Sequence, residues 1–427
     1  MIDRATAEAV FRDAVIACDP AARVREALAE PALAVRLDGR RRFGVAIGKA
    51  ALAMARGAGP VEQGIAIVPG AATAPGPVLD PTLPAGWQRI DGPHPEIDGR
   101  SRVAAELAWQ VVGAAERDDV VLALISGGAS ALVEAPRGAI TLDELRSVIR
   151  ALMAAGAPIG ELNTVRAALS LAKAGGLVVI ARAKVITLAI SDVIGDDLHT
   201  IGSGPTVGPW IDAPGQPVDL GVADRARRSR AAEILGRYGV RPPPSVSAML
   251  AGPHGGLEIV RHDLARVIAP MNAFARAAAA ALSDRGIDAP RMVAPLGGDV
   301  RTAAQRLLEH APPIVAWGEP TLRIPHAHGE GGRAQQLALE LARLLAGSER
   351  TAFVAGSDGI DGPAPRARPT PAGAFVDGAT WAAITAAGLD PAAALERCDA
   401  GTALAAVGAL VVTGPTGINH ADLVILG

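Results

Sequence analysis

The 427-residue chain is 50% hydrophobic and 20% charged, which allows sizeable cores and excludes disorder on a domain scale. A formal net charge of -3 and an aromatic content of 3% provide neither the electrostatics nor the stacking surface for nucleic-acid binding. No apolar run approaches the roughly 20 residues of a membrane span, and the opening residues contain no signal-peptide core. We therefore expect a soluble cytoplasmic protein of two domains, since domains usually hold about 100 to 200 residues.

Short apolar runs that end at glycine predict the strands of the first half. These runs are FGVAIG (43–48), GIAIVPG (64–70), DVVLALISGG (119–128) and AKVITLAISDV (183–193). Helices are predicted at KAALAMARGA, TLDELRSVIRALMAAG and LNTVRAALSLAKAGG, the second with a capping box from Thr141 to Glu144. Strands that alternate with crossover helices predict a doubly wound, Rossmann-like parallel sheet, in which ligands bind at the carboxyl ends of the strands.

A composition shift separates the two halves of the chain. The segment 204–229 is rich in Pro, Gly and Asp and resembles a surface connection, and RPPPS follows at 241–245 with one short helix between them. We place the boundary near residue 240, which gives domains 1–240 and 241–427. The second half also alternates strands and helices, so we expect a smaller α/β domain there. Its last strand, at 422–426, could return to the first sheet, and the sequence leaves this open.

Two glycine-rich turns follow the first and third predicted strands. Lys49 lies at a strand-to-helix junction, where an ammonium can meet a phosphate held at a helix N-terminus. The spacing is not that of a Walker P-loop, and a purely structural turn is the alternative. The loop LISGGASAL lacks the G-x-S-x-G of a nucleophile elbow. A simple turn and a phosphate cradle stay equal alternatives for it.

Charged residues follow other predicted strands. Asp192, Asp196 and Asp197 lie directly after the fourth strand, where clustered carboxylates suit magnesium or, alternatively, fix turns. In the second half, Arg333 begins a helix after a glycine turn, and a guanidinium matches phosphate or carboxylate geometry. Asp358 lies in a further loop after an apolar strand. Glycine-rich loops in both halves predict a polar cleft between the two domains.

The order of these blocks resembles the glycerate 2-kinase family, whose C-terminal portion is called the MOFRL domain. The blocks are GKAA, GPHPEIDG, LISGGASAL, LNTVRAALSLAKAGG, SDVIGDD with SGPTVG, GEPT with GGRAQQLAL, GSDGIDGP and TGPTGINHADL, and the likeness covers almost the whole chain. It implies phosphorylation of D-glycerate to 2-phosphoglycerate with ATP and Mg²⁺. It also implies a cleft between a larger Rossmann-like domain and a smaller α/β domain.

The matched blocks supply the candidate site residues. Lys49, Arg333 and Asp192 are the candidate catalytic residues, and Asp192 and Asp197 are the candidate magnesium ligands. The candidate substrate- and nucleotide-binding residues are Ser126, Gly127, Gly128, Ser130, Asn163, Arg166, Glu319 and Asp358. Ala334 stands where the family usually has Asn after GGR, so a kinase for a related sugar acid is an alternative.

Two further functions stay open at this point. One is an NAD(P)H-dependent hydroxypyruvate reductase, a label that members of the family often carry, although the chain has no G-x-G-x-x-G opening a βαβ unit. The other is a noncatalytic regulator that binds a sugar acid. We expect small-molecule ligands and neither a nucleic-acid nor a membrane partner, while the oligomeric state, a homodimer included, is left open.

Overall fold

The structure is a computed structural model that describes residues 2–70, 76–78, 80–208, 219–252, 262–292, 294–362 and 369–427. The chain forms two compact units, of which the first is Pro20–Ala269 and the second combines Met1–Asp19 with Pro270–Gly427. Each unit has its own sheet and its own hydrophobic core. Within the described ranges, we find no helix with the length and apolar character needed to cross a membrane.

The first unit is built on a seven-stranded sheet. Helix α1 (Arg4–Ala17) precedes this unit in the chain and belongs to the second one. The strands are β1 (Arg42–Ile47), β2 (Gln63–Pro69), β3 (Pro77–Val78), β4 (Trp87–Gly92), β5 (Val120–Ile125), β6 (Lys184–Ile190) and β7 (His262–Ala269). The helices are α2 (Pro20–Ala29), α3 (Pro31–Leu37), α4 (Ala51–Ala58), α5 (Gly99–Ala114), α6 (Ala129–Leu132), α7 (Leu142–Ala154), α8 (Ile159–Leu169), α9 (Leu220–Arg237) and α10 (Pro244–Ala251), with a 3-10 turn at Ile201–Ser203.

The winding of this sheet reverses at one place. The strand order is β3-β4-β2-β1-β5-β6-β7, and all pairs are parallel except β3 with β4. The chain proceeds from β1 through β2 to β4 on one side and then from β5 through β6 to β7 on the other. The switch point therefore lies between β1 and β5, and doubly wound sheets bind ligands at such a point. Ile47 is in register with Ile125, so the loops after these two strands leave the same edge of the sheet side by side.

Continuous burial explains why the predicted central strands form. Every residue of β5 is buried, and so is every residue of β1 and β6 after the first. Strands of a parallel sheet covered on both faces read as such apolar runs. The predicted capping box of α7 is also present: the Thr141 hydroxyl accepts from the Glu144 N–H at 3.1 Å, and the Glu144 carboxylate accepts from the Thr141 N–H at 2.8 Å.

Two helices near the predicted connection have other bounds than expected. Helix α8 ends at Leu169 rather than continuing through LAKAGG, because Ser170 is extended, with φ -117° and ψ 143°, and forms a β-bridge with Pro136. Helix α9 is not short but has 18 residues. The carboxylate of Asp219 accepts a hydrogen bond from the Val222 N–H at 3.0 Å and so begins this helix inside the segment predicted as a surface connection. Residues 209–218 of that segment lie outside the described residues.

The second unit has a five-stranded antiparallel sheet with the order β11-β10-β9-β12-β8. Its strands are β8 (Ile314–Gly318), β9 (Thr351–Ala355), β10 (Gly373–Asp377), β11 (Leu410–Val411) and β12 (Asp422–Leu426). Its helices are α1 and α11 (Ala273–Ser283), α12 (Val300–Leu308), α13 (Arg333–Leu345), α14 (Thr380–Ala386), α15 (Pro391–Glu396) and α16 (Ala400–Ala406). The mixed α/β class of both halves is as predicted.

The two compact units divide the chain elsewhere than at the predicted residue 240. Strand β7 lies after that position but pairs with β6 in the first sheet, so the first unit extends to Ala269. The N-terminal helix α1 packs in the second unit, where the Phe11 ring centroid lies 5.2 Å from that of Phe274 and 5.7 Å from that of Phe353. Strand β12 pairs with β8 and β9, so it stays in the second sheet.

Candidate active site

The loops after β1 and β5 are joined to each other at the switch point. The Lys49 N–H donates to the Gly127 carbonyl at 2.9 Å, and the Ala50 N–H donates to the Ser126 hydroxyl at 3.1 Å. Ser126 is fully buried. A Cβ at Gly48, whose φ is 129°, would lie 2.2 Å from the Ser126 Oγ, so only glycine allows this approach. The Ser126 side chain therefore holds the two loops together.

Lys49 is exposed and lies beside the turn at Gly128. Gly128 has a φ of 84°, and a Cβ there would lie 3.2 Å from the Nε2 atom of His94 and 3.4 Å from the Cγ atom of Lys49. Burial, followed by the charge of Lys49, lowers the pKa of His94, so we expect a neutral imidazole at neutral pH. Helix α6, which follows this turn, has only four residues, and its dipole alone is a weak anion site.

Three of the predicted binding residues meet in one polar network. Arg166 donates from Nη1 to the Ser130 hydroxyl at 2.8 Å and to the Asn163 Oδ1 at 3.4 Å. The Ser203 hydroxyl lies 2.8 Å from that of Ser130 and donates to the Asn163 Oδ1 at 3.2 Å. Ser203 was not predicted, although it lies in the SGPTVG block that carries part of the resemblance. Burial lowers the pKa of Arg166.

A buried ion pair contacts the backbone of this network at Ser130. Lys173 is fully buried and donates from Nζ to the Ser130 carbonyl at 2.7 Å and to the Val133 carbonyl. Its Nζ lies 4.0 Å from the Oε2 atom of Glu134, and neither side chain is exposed. Burial lowers the pKa of Lys173 to about 8, so the ammonium is retained at neutral pH. Neither Lys173 nor Glu134 was among the site residues predicted from the sequence.

Two cavities of the first unit adjoin the network. One has a volume of about 350 Å³ and includes Gly128, Ser130 and Arg166 in its lining. The other has a volume of about 440 Å³ and includes Asn163 and Ser203. The Ser130–Arg166–Asn163–Ser203 network thus contributes side chains to both cavities.

The predicted magnesium ligands lie in the loop after β6. Asp192 is half-buried next to the end of the strand. Asp197 is exposed, and its two carboxylate oxygens accept from the His199 N–H at 3.1 Å and the Thr200 hydroxyl at 2.5 Å. The Asp197 carboxylate therefore fixes its own turn. Within the described part of the chain, no cluster of three or more His, Cys, Asp or Glu side chains could hold a metal ion.

In the second unit, Arg333 is held by two carboxylates. Its Nε and Nη2 atoms donate to the two oxygens of Asp422 at 2.6 and 2.9 Å, and Nη2 lies 3.3 Å from the Glu319 Oε1. Burial opposes the charge, but the hydrogen bonds and the charge of Asp422 outweigh it and raise the pKa of Arg333 above its usual value. The predicted residue Glu319 is thus a partner of Arg333. The predicted residue Asp358 accepts from the Ile360 N–H at 3.0 Å in a neighbouring strand-end loop.

The Asp361 carboxylate caps the N-terminus of α13, where Arg333 is the first residue. Its two oxygens accept from the Ala334 and Gln335 N–H groups at 2.9 and 2.8 Å. Burial, and then the charge of Asp422, raise the pKa of Asp361 to about 6. The Ala334 side chain is fully buried in the hydrophobic core of this unit. An Asn at position 334 would thus place its amide in that core, next to Asp361.

Asp361 should make stability depend on pH. Because its folded pKa of about 6 exceeds the ordinary 3.8, the folded state binds the extra proton between these values. Its contribution to the free energy of unfolding is therefore present below about pH 4 and is lost as the pH rises through about 6. We expect wild type to lose about 2 kcal/mol relative to Asp361→Asn between about pH 4.5 and about pH 7, measured by denaturant unfolding. A constant difference between the two proteins would contradict this.

The chain is similar to known proteins along most of its length. A family model described as a domain of unknown function, DUF4147, matches residues 6–251, and that of the MOFRL family matches residues 313–422. An Agrobacterium vitis protein that bears a provisional name as a hydroxypyruvate reductase is 39% identical over 362 residues, which cover 80% of this chain and 77% of that protein. A protein from Thermotoga maritima named D-glycerate 2-kinase is 33% identical over 400 residues, which cover 89% of each chain.

A solved structure extends the likeness to the fold. The crystal structure of glycerate kinase from Thermotoga maritima matches with a TM-score of 0.78 and 28% sequence identity, over 99% of this chain and 98% of the other. The family models together match most of the chain, and the relatives exceed 30% identity over most of their own length. The chain therefore belongs to the glycerate 2-kinase family, with the MOFRL family in its C-terminal portion.

Proposed function

We propose that this protein is a glycerate 2-kinase, which transfers the terminal phosphoryl group of ATP to D-glycerate and yields 2-phosphoglycerate and ADP. The observation that carries the proposal is the position of Lys49 and the Gly128 turn at the switch point of the parallel sheet. The name of the Thermotoga maritima relative supports the same activity. A charged side chain and a close glycine turn at this edge suit an anionic ligand.

Each catalytic role in the proposal follows from the charge that phosphoryl transfer develops. Such transfer needs positioning and neutralisation of charge more than covalent chemistry. Lys49 would stabilise charge on the transferred phosphoryl group. Arg333 would hold the carboxylate of the substrate or the phosphoryl group, because its contacts with Asp422 and Glu319 use three of the five donors of a guanidinium.

Magnesium would neutralise nucleotide oxygens when bound. Asp192 fits this role, because Mg²⁺ in kinases takes one or two carboxylates and completes its shell with phosphate oxygens and waters. Asp197 fits it poorly, since both of its oxygens accept hydrogen bonds from its own turn. We assign the metal contact to Asp192, the half-buried carboxylate in the loop directly after β6.

One assay separates the proposed activity from its alternatives. The protein is incubated with ATP, Mg²⁺ and D-glycerate, ADP release is followed, and ³¹P and ¹³C NMR identify the phosphorylated carbon. We expect ADP release that depends on D-glycerate and phosphate on carbon 2. Oxidation of NADH or NADPH by hydroxypyruvate without ADP release would establish a reductase. Turnover only with a longer sugar acid would assign the alternative substrate, and binding of the acid without any turnover would establish a regulator.

A further inference from the structure

The cavity of about 350 Å³ is lined by two chemically different sets of residues. The first set is Gly128, Ser130 and Arg166, which offer hydrogen-bond donors to an anion. The second set comes from one face of helix α7 and from the segment before α5. It includes Glu96, Ile97, Arg146, Ile149, Arg150 and Met153.

The size of this cavity exceeds the needs of a three-carbon acid. Sites that enclose ligands of drug size hold roughly 300 to 1,000 Å³, and the cavity falls within that range. The side chain of Met153 is 60% exposed at the cavity, whereas apolar side chains of that size are usually buried. D-glycerate has no apolar part that could cover Met153. The lining therefore favours a larger ligand that combines an apolar face with an anionic end.

The guanidinium groups of the second set are held in place. The Nη2 atom of Arg150 lies 2.5 Å from the Glu96 carboxylate, and the Nη2 atom of Arg146 donates to the Ile97 carbonyl at 2.7 Å. A planar guanidinium stacks on aromatic ring systems, and apolar side chains pack against their faces. Ile149 and Met153 are four residues apart and so lie on the same face of α7. This face suits a flat heteroaromatic base.

We propose that this cavity binds the nucleoside of the nucleotide, with the base against the α7 face and the phosphates directed to Gly128, Ser130 and Lys49. The inference rests on the proposed kinase activity, because it assigns the nucleotide, one of the two substrates of that reaction, to this cavity. The position of Lys49 beside Gly128 then brings its ammonium to the phosphate end of the ligand. The cavity of about 440 Å³ that includes Asn163 and Ser203 is left for other ligands.

The test introduces a carboxylate at the exposed edge of the cavity. Met153→Glu is compared with Ala151→Glu, which puts the same group on an exposed position of α7 that does not line the cavity. For each protein, the KM values for ATP and D-glycerate are measured, and binding of adenosine, which has no phosphate, is measured by calorimetry. We expect Met153→Glu to raise the KM for ATP at least tenfold and to abolish adenosine binding, with the KM for D-glycerate within twofold of wild type.

The control and the adenosine measurement decide between the outcomes. Ala151→Glu should stay within threefold of wild type for both substrates. A rise in the KM for D-glycerate alone would overturn the inference and assign the cavity to the acid, and unchanged constants for Met153→Glu would overturn it outright. If wild type binds adenosine but transfers no phosphate to D-glycerate, the proposed function fails while the nucleoside site stands.

Discussion

Replacement of Lys49 by alanine is expected to lower kcat/KM for phosphoryl transfer at least about 100-fold, or about 2.7 kcal/mol of transition-state stabilisation. The reason is that Lys49 provides the positive charge at the switch point, next to the Gly128 turn. Its side chain is exposed, so the loss should leave the free energy of unfolding nearly unchanged. Steady-state kinetics with ATP and D-glycerate varied in turn, together with denaturant unfolding, measure both quantities.

The chain offers a matched control for this prediction. It contains three lysines, of which Lys173 is buried and Lys184 is exposed at the start of β6, at the end of the sheet opposite to the loops. Lys184→Ala should therefore leave kcat/KM within twofold of wild type. Removal of the Lys49 charge should also raise the pKa of His94, which NMR titration can follow. Activity of Lys49→Ala within twofold of wild type would refute the catalytic role of Lys49.

The first sheet could be predicted because its central strands are buried on both faces. Runs such as VVLALI need no partner information to be recognised, and a glycine follows β1, β2 and β5 within two residues. Strand β4 was missed because its sequence, WQRIDG, mixes polar and apolar residues. Strand β10 was missed for a different reason, since GAFVD is short and follows a segment rich in proline. Edge and short strands depend on partners that a local pattern does not contain.

The domain division could not be read from local composition. The segment around residue 240 carries breaks in the helical pattern, but β7 follows it and completes the first sheet. Helix α1 shows helical spacing, and that spacing does not reveal that Phe11 packs on Phe274 and Phe353. Long-range packing of this kind is decided by tertiary context and not by the pattern of one element.

Contacts between single residues of the candidate site could likewise be predicted only in part. The positions of Lys49 and Ser130 could be predicted, since both follow strands that are neighbours in a parallel sheet. The pairing of Arg333 with Asp422 joins residues 89 positions apart and depends on where β12 inserts in the second sheet. Likewise, the sequence does not show that both carboxylate oxygens of Asp197 accept hydrogen bonds within its own turn, because Asp occurs both in metal sites and in turns.

Lys173→Met is expected to lower the free energy of unfolding by about 3 kcal/mol at neutral pH, because removing one partner leaves Glu134 as a buried charge. The variant also loses the hydrogen bonds from Nζ to the carbonyls of Ser130 and Val133, which fix the end of the SGGAS loop. Denaturant unfolding measures the first effect. The double variant Lys173→Met with Glu134→Gln should recover a large part of the stability, since it removes the isolated charge. If the double variant is as unstable as the single one, the ion pair is not the cause.

The pH dependence of the same substitution tests the burial of the ammonium. Because burial lowers the folded pKa of Lys173 to about 8, below its ordinary 10.5, the unfolded state binds more protons between these values. The free energy of unfolding of wild type should therefore rise with pH across this interval, by about 2 kcal/mol from about pH 7 to about pH 9.5 relative to Lys173→Met. Lys184→Met, which removes an exposed lysine, should show no such divergence from wild type. Parallel curves for wild type and Lys173→Met would contradict the prediction, because they would mean that burial does not lower the pKa of the Lys173 ammonium.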